Sequence, residues 1–321
     1  MDLDLIQLTA SSLRLVVPML LAAMAGLFAE RSGLIDIGLE GKMLAGAFVG
    51  GAAASLMASP WLGLAAAMVA GGMLGLAQGV ASISLRGNQL VVGLAINIIA
   101  SGLTAFLGIA WFQRGGQTPQ LSTAERFGAI RLPFGEALAD IPVLGPLYNT
   151  VIGGQTFLGY AALAVVVVTW VVIYRTRFGL RLMAAGDNPA ALDSAGVSVI
   201  RLRYTAILIG GCLCGAAGAY LSIVQGGAFY RDMSAGLGFM ALAALIFGGW
   251  RPYRVALACL LFAAADAVQG RLQGQEIFGV EAPTQVVQAI PYVLTILLLA
   301  GLVGHAEGPA AAGRPYIKGQ R

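Results

Sequence analysis

An all-α integral membrane protein of about nine transmembrane helices is the fold class predicted by three features of the sequence. Of its 321 residues, 58% are hydrophobic and only 11% charged, against roughly 25% charge in soluble domains. Apolar runs of about 17–25 residues recur along it, each long enough to cross roughly 30 Å of hydrocarbon as a helix that satisfies its own backbone. Its 45 glycines are costly in soluble helices but suit membrane bundles, where small residues let backbones approach closely. One bundle, residues 1–321, accounts for the chain. The net charge of +4 comes from basic residues placed where membrane topology wants them, so no nucleic-acid partner follows. Cys212, Cys214 and Cys259 all fall in apolar runs and read as small core residues rather than disulfides or metal ligands.

Residues 1–12 carry Asp2 and Asp4 and no basic stretch, which does not read as a cleaved leader. The first span covers 13–29. Residues 30–42 then combine Glu30, Arg31, Asp36, Glu40 and Lys42 with Gly33, Gly38 and Gly41, an irregular approach to the second span. Spans two to four cover 43–58, 61–85 and 89–112, divided by Ser59-Pro60 and by Arg86-Gly87-Asn88, both tight turns. Residues 113–155, with Pro119, Pro133, Pro142 and Pro146, are too long for a simple connection and are placed outside. The fifth span, 156–174, runs into a charged island at 175–203, and the sixth covers 204–224. A break at 225–232 precedes the seventh, the eighth ends near Gln269, the ninth covers 286–303, and a polar tail occupies 304–321.

With this scheme thirteen of the nineteen Lys and Arg residues fall on one side, which by the positive-inside rule is the cytoplasm. The amino terminus is then outside and the carboxyl terminus cytoplasmic. Eight or ten spans are the alternatives, because 35–42 and 225–240 are ambiguous. Residues 13–112 and 204–303 share an order of features, including Gly26-Leu27-Phe28 against Gly218-Ala219-Tyr220, and Gln89-Leu90-Val91-Val92 against Gln285-Val286-Val287-Gln288. Nine spans turn these halves in opposite directions, as in an inverted-topology repeat whose interface holds a transport path.

Polar groups within lipid are expensive, so each is a candidate for function. Asp36 and Glu40 lie four apart and share a face if the second helix begins that early. They line the path or its gate, or else form an interfacial cap with Lys42. Gln78 and Asn97 are midplane candidates for contact with a polar solute, with interhelical hydrogen bonding as the other explanation. Gln225, Phe229 and Met240 flank the second break at an external mouth, and Asp266 either faces water or pairs with Arg271 near the same side.

The island between spans five and six is built like a short helix. Asn188 suits the N-cap, Pro189 the first helical position, residues 190–195 favour helix, and Gly196 suits a left-handed close. Arg175, Arg177, Arg181, Arg201 and Arg203 flank it and place it in the cytoplasm, where either a soluble partner presses on it or it stands as a solvated loop with no partner. No Gly-x-x-x-x-Gly-Lys followed by Ser or Thr occurs, so any ATP and Mg are bound by another chain. The single histidine, His305, has no nucleophile or metal-ligand spacing around it. Neither an enzyme nor a cofactor held by this chain is expected.

Gly186-Asp187-Asn188-Pro189-Ala190-Ala191-Leu192, followed by Ala195-Gly196-Val197, resembles the coupling-helix segment of bacterial ABC importer permeases of the branched-chain amino acid, ribose and nucleoside superfamily. Residues 30–41 resemble the signature near the start of the simple-sugar and nucleoside permeases that work with basic-membrane-protein-type binding lipoproteins. Residues 314–321, Arg-Pro-Tyr-Ile-Lys-Gly-Gln-Arg, resemble their tail. Asp36 stands where asparagine is common in that family. The resemblance implies a type II importer fold, similar to the vitamin B12 permease without its first span. It implies a permease subunit of the bacterial inner membrane that imports nucleosides or a related simple sugar. The implied partners are a second, homologous permease chain, a cytoplasmic ABC ATPase holding ATP and Mg, and an external solute-binding lipoprotein. Gly186, Asp187, Asn188, Pro189, Ala191, Leu192, Ala195 and Gly196 would dock in a cleft of that ATPase. An ion-coupled secondary transporter working through buried carboxylates, and a membrane scaffold without a transport role, are the alternatives.

Overall fold

The computed structural model describes residues 2–130, 147–273 and 308–317, with positions 276, 277, 280, 281, 285, 289 and 293 between the last two. Its axis is α1 (Asp2–Arg31), which extends the predicted first span toward the amino terminus and is buried at every residue of 19–25. α2 (Leu39–Met57), α3 (Pro60–Gly79) and α4 (Gln89–Phe112) follow, α3 running on through a π-helical turn at Val80–Ser84. α4 begins and ends where the sequence places it. Asn88 Oδ1 accepts from Leu90 N at 2.9 Å and Val91 N at 3.3 Å, and Gln113, at φ +50°, closes the other end.

α5 (Phe157–Arg175) leads into two short helices, α6 (Arg177–Asp187) and α7 (Pro189–Ser194). α8 (Val199–Ala219) continues through a π-helical stretch at Tyr220–Gly226, and α9 (Leu237–Phe247) and α10 (Pro252–Leu272) complete the helices. The described β pairings are a two-residue antiparallel pair, Glu276–Ile277 with Val280–Glu281, and an isolated bridge between Ala129 and Thr156. Among the described residues six helices are long and apolar enough to cross a membrane: Leu5–Arg31, Pro60–Ser84, Gln89–Phe112, Phe157–Arg175, Val199–Gly226 and Pro252–Leu272. α2, carrying Glu40 and Lys42, is mostly buried inside the bundle, and α9 has only 11 residues. These two stand where spans two and seven are predicted. The predicted ninth span and the 285–288 arm of the repeat lie outside the described helices.

Small residues set the packing of the bundle centre. α8 lies against α2 and α3 so closely that a Cβ on Gly71 would overlap the Gly211 carbonyl, one on Gly215 the Ala67 carbonyl, and one on Gly218 the Met43 carbonyl. These are the close backbone approaches that the glycine content leads one to expect. Larger apolar side chains point outward instead, among them Val69, Met73, Ile98, Phe106 and Val167.

Two irregular segments, 32–38 and 227–236, interrupt the helical layout inside the bundle. The first corrects the expected geometry of Asp36 and Glu40. The chain leaves α1 through Gly33 at φ +86° and α2 begins only at Leu39, so Asp36 precedes the helix and shares no helical face with Glu40. The second contains Asp232 and Ala235 at positive φ between Gly227 and Gly236, a concentration of left-handed backbone that L-residues rarely adopt.

Candidate coupling surface and translocation path

At one end of the bundle the island forms a compact corner. Thr176 accepts from Gly179 N at 3.2 Å to start α6, which turns Leu182 and Ala185 into the core and leaves Arg177 and Arg181 exposed. The sequence reading of a single helix there is therefore incomplete: α6 precedes the expected one. Asn188 Oδ1 accepts from Ala191 N at 3.0 Å, Pro189 takes the first position of α7, and Gly196 closes it at φ +79° with its N donating to Asp193 O at 2.9 Å. Of the eight residues singled out, Gly186 and Leu192 are buried, Pro189 is half-buried, and Asp187, Asn188, Ala191, Ala195 and Gly196 are exposed. Leu192 anchors the helix while its alanine face stays open.

The described part of the tail docks on this corner. Ala311 N donates to Gly186 O at 2.8 Å and Gly313 N to Gly33 O at 3.1 Å. Gly186 has no room for a side chain, since a Cβ there would overlap the Arg31 carbonyl. Arg203 is 1% exposed and bridges two segments, donating from Nε to Ser32 O at 3.1 Å and from Nη1 to Arg314 O at 3.3 Å. Burial, and then the neighbouring Asp193 carboxylate, push the Tyr316 hydroxyl above its ordinary pKa. Arg31 donates to Trp250 O at 2.8 Å, and Trp250 Nε1 to Glu30, tying the α9–α10 corner to the same end. Sequence reasoning missed Arg203 and Tyr316 as anchors. Arg203 looked like one more interfacial arginine, and only its position one turn inside α8 set it apart.

Four candidate path residues gather around the 32–38 segment. Lys42 Nζ pairs with Asp36 Oδ2 at 2.6 Å, both side chains fully buried. Gln78, also buried, brings Oε1 against Gly38, where Asp36 Oδ1 also approaches. Asn97 accepts from Gly41 N at 2.8 Å and donates to Ile37 O at 3.0 Å. Glu40 reaches across to the second irregular segment, accepting from Gly236 N at 2.8 Å and Gly238 N at 2.6 Å, and so caps α9. One carboxylate thus clasps the two breaks together.

Phe229 stands apart from these. It is buried against Phe48 with ring centroids 5.2 Å apart, and its N donates to Thr118 Oγ1 at 2.8 Å. Gln225 lines a cavity of about 410 Å³ with Met240, Asp266 and Gln269. Asp266 does not pair with Arg271, whose Nη2 donates to Gln7 Oε1 at 3.3 Å. Among the described residues no group of His, Cys, Asp and Glu side chains could hold a metal ion.

A family profile described as branched-chain amino acid transport system / permease component matches residues 8–299. The guanosine ABC transporter permease protein NupQ of Bacillus subtilis is 36% identical, the alignment covering 99% of this chain and 100% of the relative. The nucleoside ABC transporter permease protein NupC of Lactococcus lactis subsp. cremoris is 36% identical over 94% and 93% of the two chains. The putative glucose ABC transporter permease protein TsgC13 of Haloferax volcanii is 32% identical over 90% and 89%. Bacillus subtilis and Lactococcus lactis each contain a second, more distant permease chain that also matches. No solved structure matches the chain.

Proposed function

The chain belongs to the family of branched-chain amino acid transport system permeases, and on that premise we propose that it is the membrane subunit of an ATP-driven importer of nucleosides or a related simple sugar. The observation that carries the ATP-driven reading is α7, a helix capped at both ends, anchored by Leu192 and presenting Ala191 and Ala195 to solvent. In this reading a separate cytoplasmic ATPase binds ATP and Mg and receives that face. A second permease chain completes the membrane unit, as the paired chains of the relatives suggest, and an external lipoprotein delivers solute. The island and tail face the cytoplasm across the inner membrane, residues 113–155 face outward, and 13–112 and 204–303 act as inverted halves around the path.

The test is uptake of tritiated guanosine into ATP-loaded proteoliposomes holding this chain, its partner permease and the ATPase, with the external binding lipoprotein added outside. Uptake is expected to require ATP, to survive collapse of proton and sodium gradients, and to be absent without the ATPase. This chain alone should hydrolyse no ATP. Gradient-driven uptake by the permease without the ATPase would instead establish the secondary-transporter alternative.

A further inference from the structure

The cavity beside Gln225 sits at the end of the bundle away from the island, between α1, the π-helical end of α8, the 227–236 segment and α10. Its volume, about 410 Å³, falls within the roughly 300–1,000 Å³ of small-molecule sites. Four polar side chains meet there, Gln225, Tyr230, Asp266 and Gln269, with Met233 and Met240 on the walls. Among the described residues none of those four side chains has a hydrogen-bond or ion-pair partner. A lone carboxylate inside a membrane bundle, held in a cavity without a cation, is a strong acceptor waiting for donors. The floor of the cavity includes Ala235 and Leu237, which interleave with the Gly236 and Gly238 amides clasped by Glu40. Occupancy therefore bears directly on the joint between the two breaks.

We propose that this cavity binds the solute, and that Asp266 recognises the vicinal hydroxyls of its ribose or hexose ring. The proposal rests on the importer reading above and adds the binding site to it. Two adjacent hydroxyls present parallel O–H donors that one ionised carboxylate accepts together, the chemistry by which acidic side chains hold nucleotide riboses. Gln225 and Gln269 each offer a donor and an acceptor for a further hydroxyl or a base edge. The thioethers of Met233 and Met240 adapt to the apolar faces of ring or base. The solutes in the relatives' names, guanosine and glucose, share such hydroxyls.

Saturation-transfer NMR on the purified permease–ATPase complex, without any external binding protein, reads this site apart from transport. Guanosine should receive saturation, and 2′,3′-dideoxyguanosine should bind roughly tenfold to a hundredfold more weakly, because it loses bonds to a charged acceptor. Asp266→Asn should remove most of that difference and Asp266→Glu should keep it, with ATPase co-purification unchanged in both. Gln269→Ala supplies a second variant, expected to weaken guanosine and its dideoxy analogue alike. Absence of saturation transfer to guanosine, or discrimination that persists in Asp266→Asn, overturns the site. Failure of ATP-dependent uptake by wild type, with guanosine still bound at Asp266, would overturn the importer reading alone.

Discussion

Lys42 and Asp36 lie six apart, a spacing with no helical meaning, and pair because the chain turns through Gly38 before α2 begins. Both are fully buried, so removing one partner leaves the other charge uncompensated, at a cost of about 3–5 kcal/mol. Lys42→Met should lower the melting temperature of the detergent-purified protein, and Asp36→Asn combined with Lys42→Met should recover most of the loss. Melting of both variants at the wild-type temperature would show that the pair contributes nothing, and equal loss in both would show that a stranded Asp36 charge is not the cause. Glu40 makes a second testable contact, since each carboxylate oxygen accepts from one backbone amide. Glu40→Ala should speed amide exchange at Gly236 and Gly238, by about 1.5–3 kcal/mol for each charge-assisted bond lost. The charges themselves were legible in the sequence as costly intramembrane groups. Their partners were not, because Gly236 and Gly238 lie nearly two hundred positions from Glu40 and backbone amides carry no side-chain signal.

Among the elements, the corner around α7 is built from more than that helix. α7 was readable residue by residue, because Asn188, Pro189 and Gly196 are local signals whose physics is complete within one turn. The docked tail was not, since its hold depends on backbone hydrogen bonds to Gly33 and Gly186 and on the buried Arg203 guanidinium. Arg203→Met removes the donor to Ser32 O and Arg314 O, and leaving the buried Ser32 carbonyl unpaired costs about 1–3 kcal/mol. A nitroxide at exposed Ala310 should then move faster by electron paramagnetic resonance, and Arg203→Lys should only partly restore it, lacking the planar fork. Tyr316 adds a pH dependence. Its folded pKa lies above the ordinary value of 10.0, so its contact is fully present below that value and is lost as pH rises through the raised one. The label should become mobile in that alkaline window, and Tyr316→Phe should abolish the pH step.

Across the whole molecule, the two ends of the bundle are held by different residues. The island, Arg31, Trp250 and the tail meet at one end, while Thr118 and Leu121 bond to Phe229 and Gly227 at the other. The order of helices was largely visible in the hydropathy pattern. α2 and α9 were blurred because a buried helix tolerates polar residues and a short helix lacks the length signal. Cysteines at Thr123 and Ala310, in a background without Cys212, Cys214 and Cys259, should label from opposite faces of oriented vesicles. Labelling from one face would contradict the proposed topology.

In the proposed importer α7 passes the work of an ATPase to the bundle. Ala191→Glu and Ala195→Glu place a charge on its exposed face without touching the anchored Leu192 side, so the helices should remain folded. A charge buried without a partner at a docking surface costs several kcal/mol, and about 1.4 kcal/mol is a factor of ten in affinity. Thr123→Glu, exposed at the far end, is the control for charge alone. The decisive measurement is ATP-dependent guanosine uptake together with ATPase co-purification. Both should fall by at least tenfold in the two α7 variants and stay at the wild-type level in Thr123→Glu, whereas full uptake and full ATPase binding in both α7 variants would contradict the account.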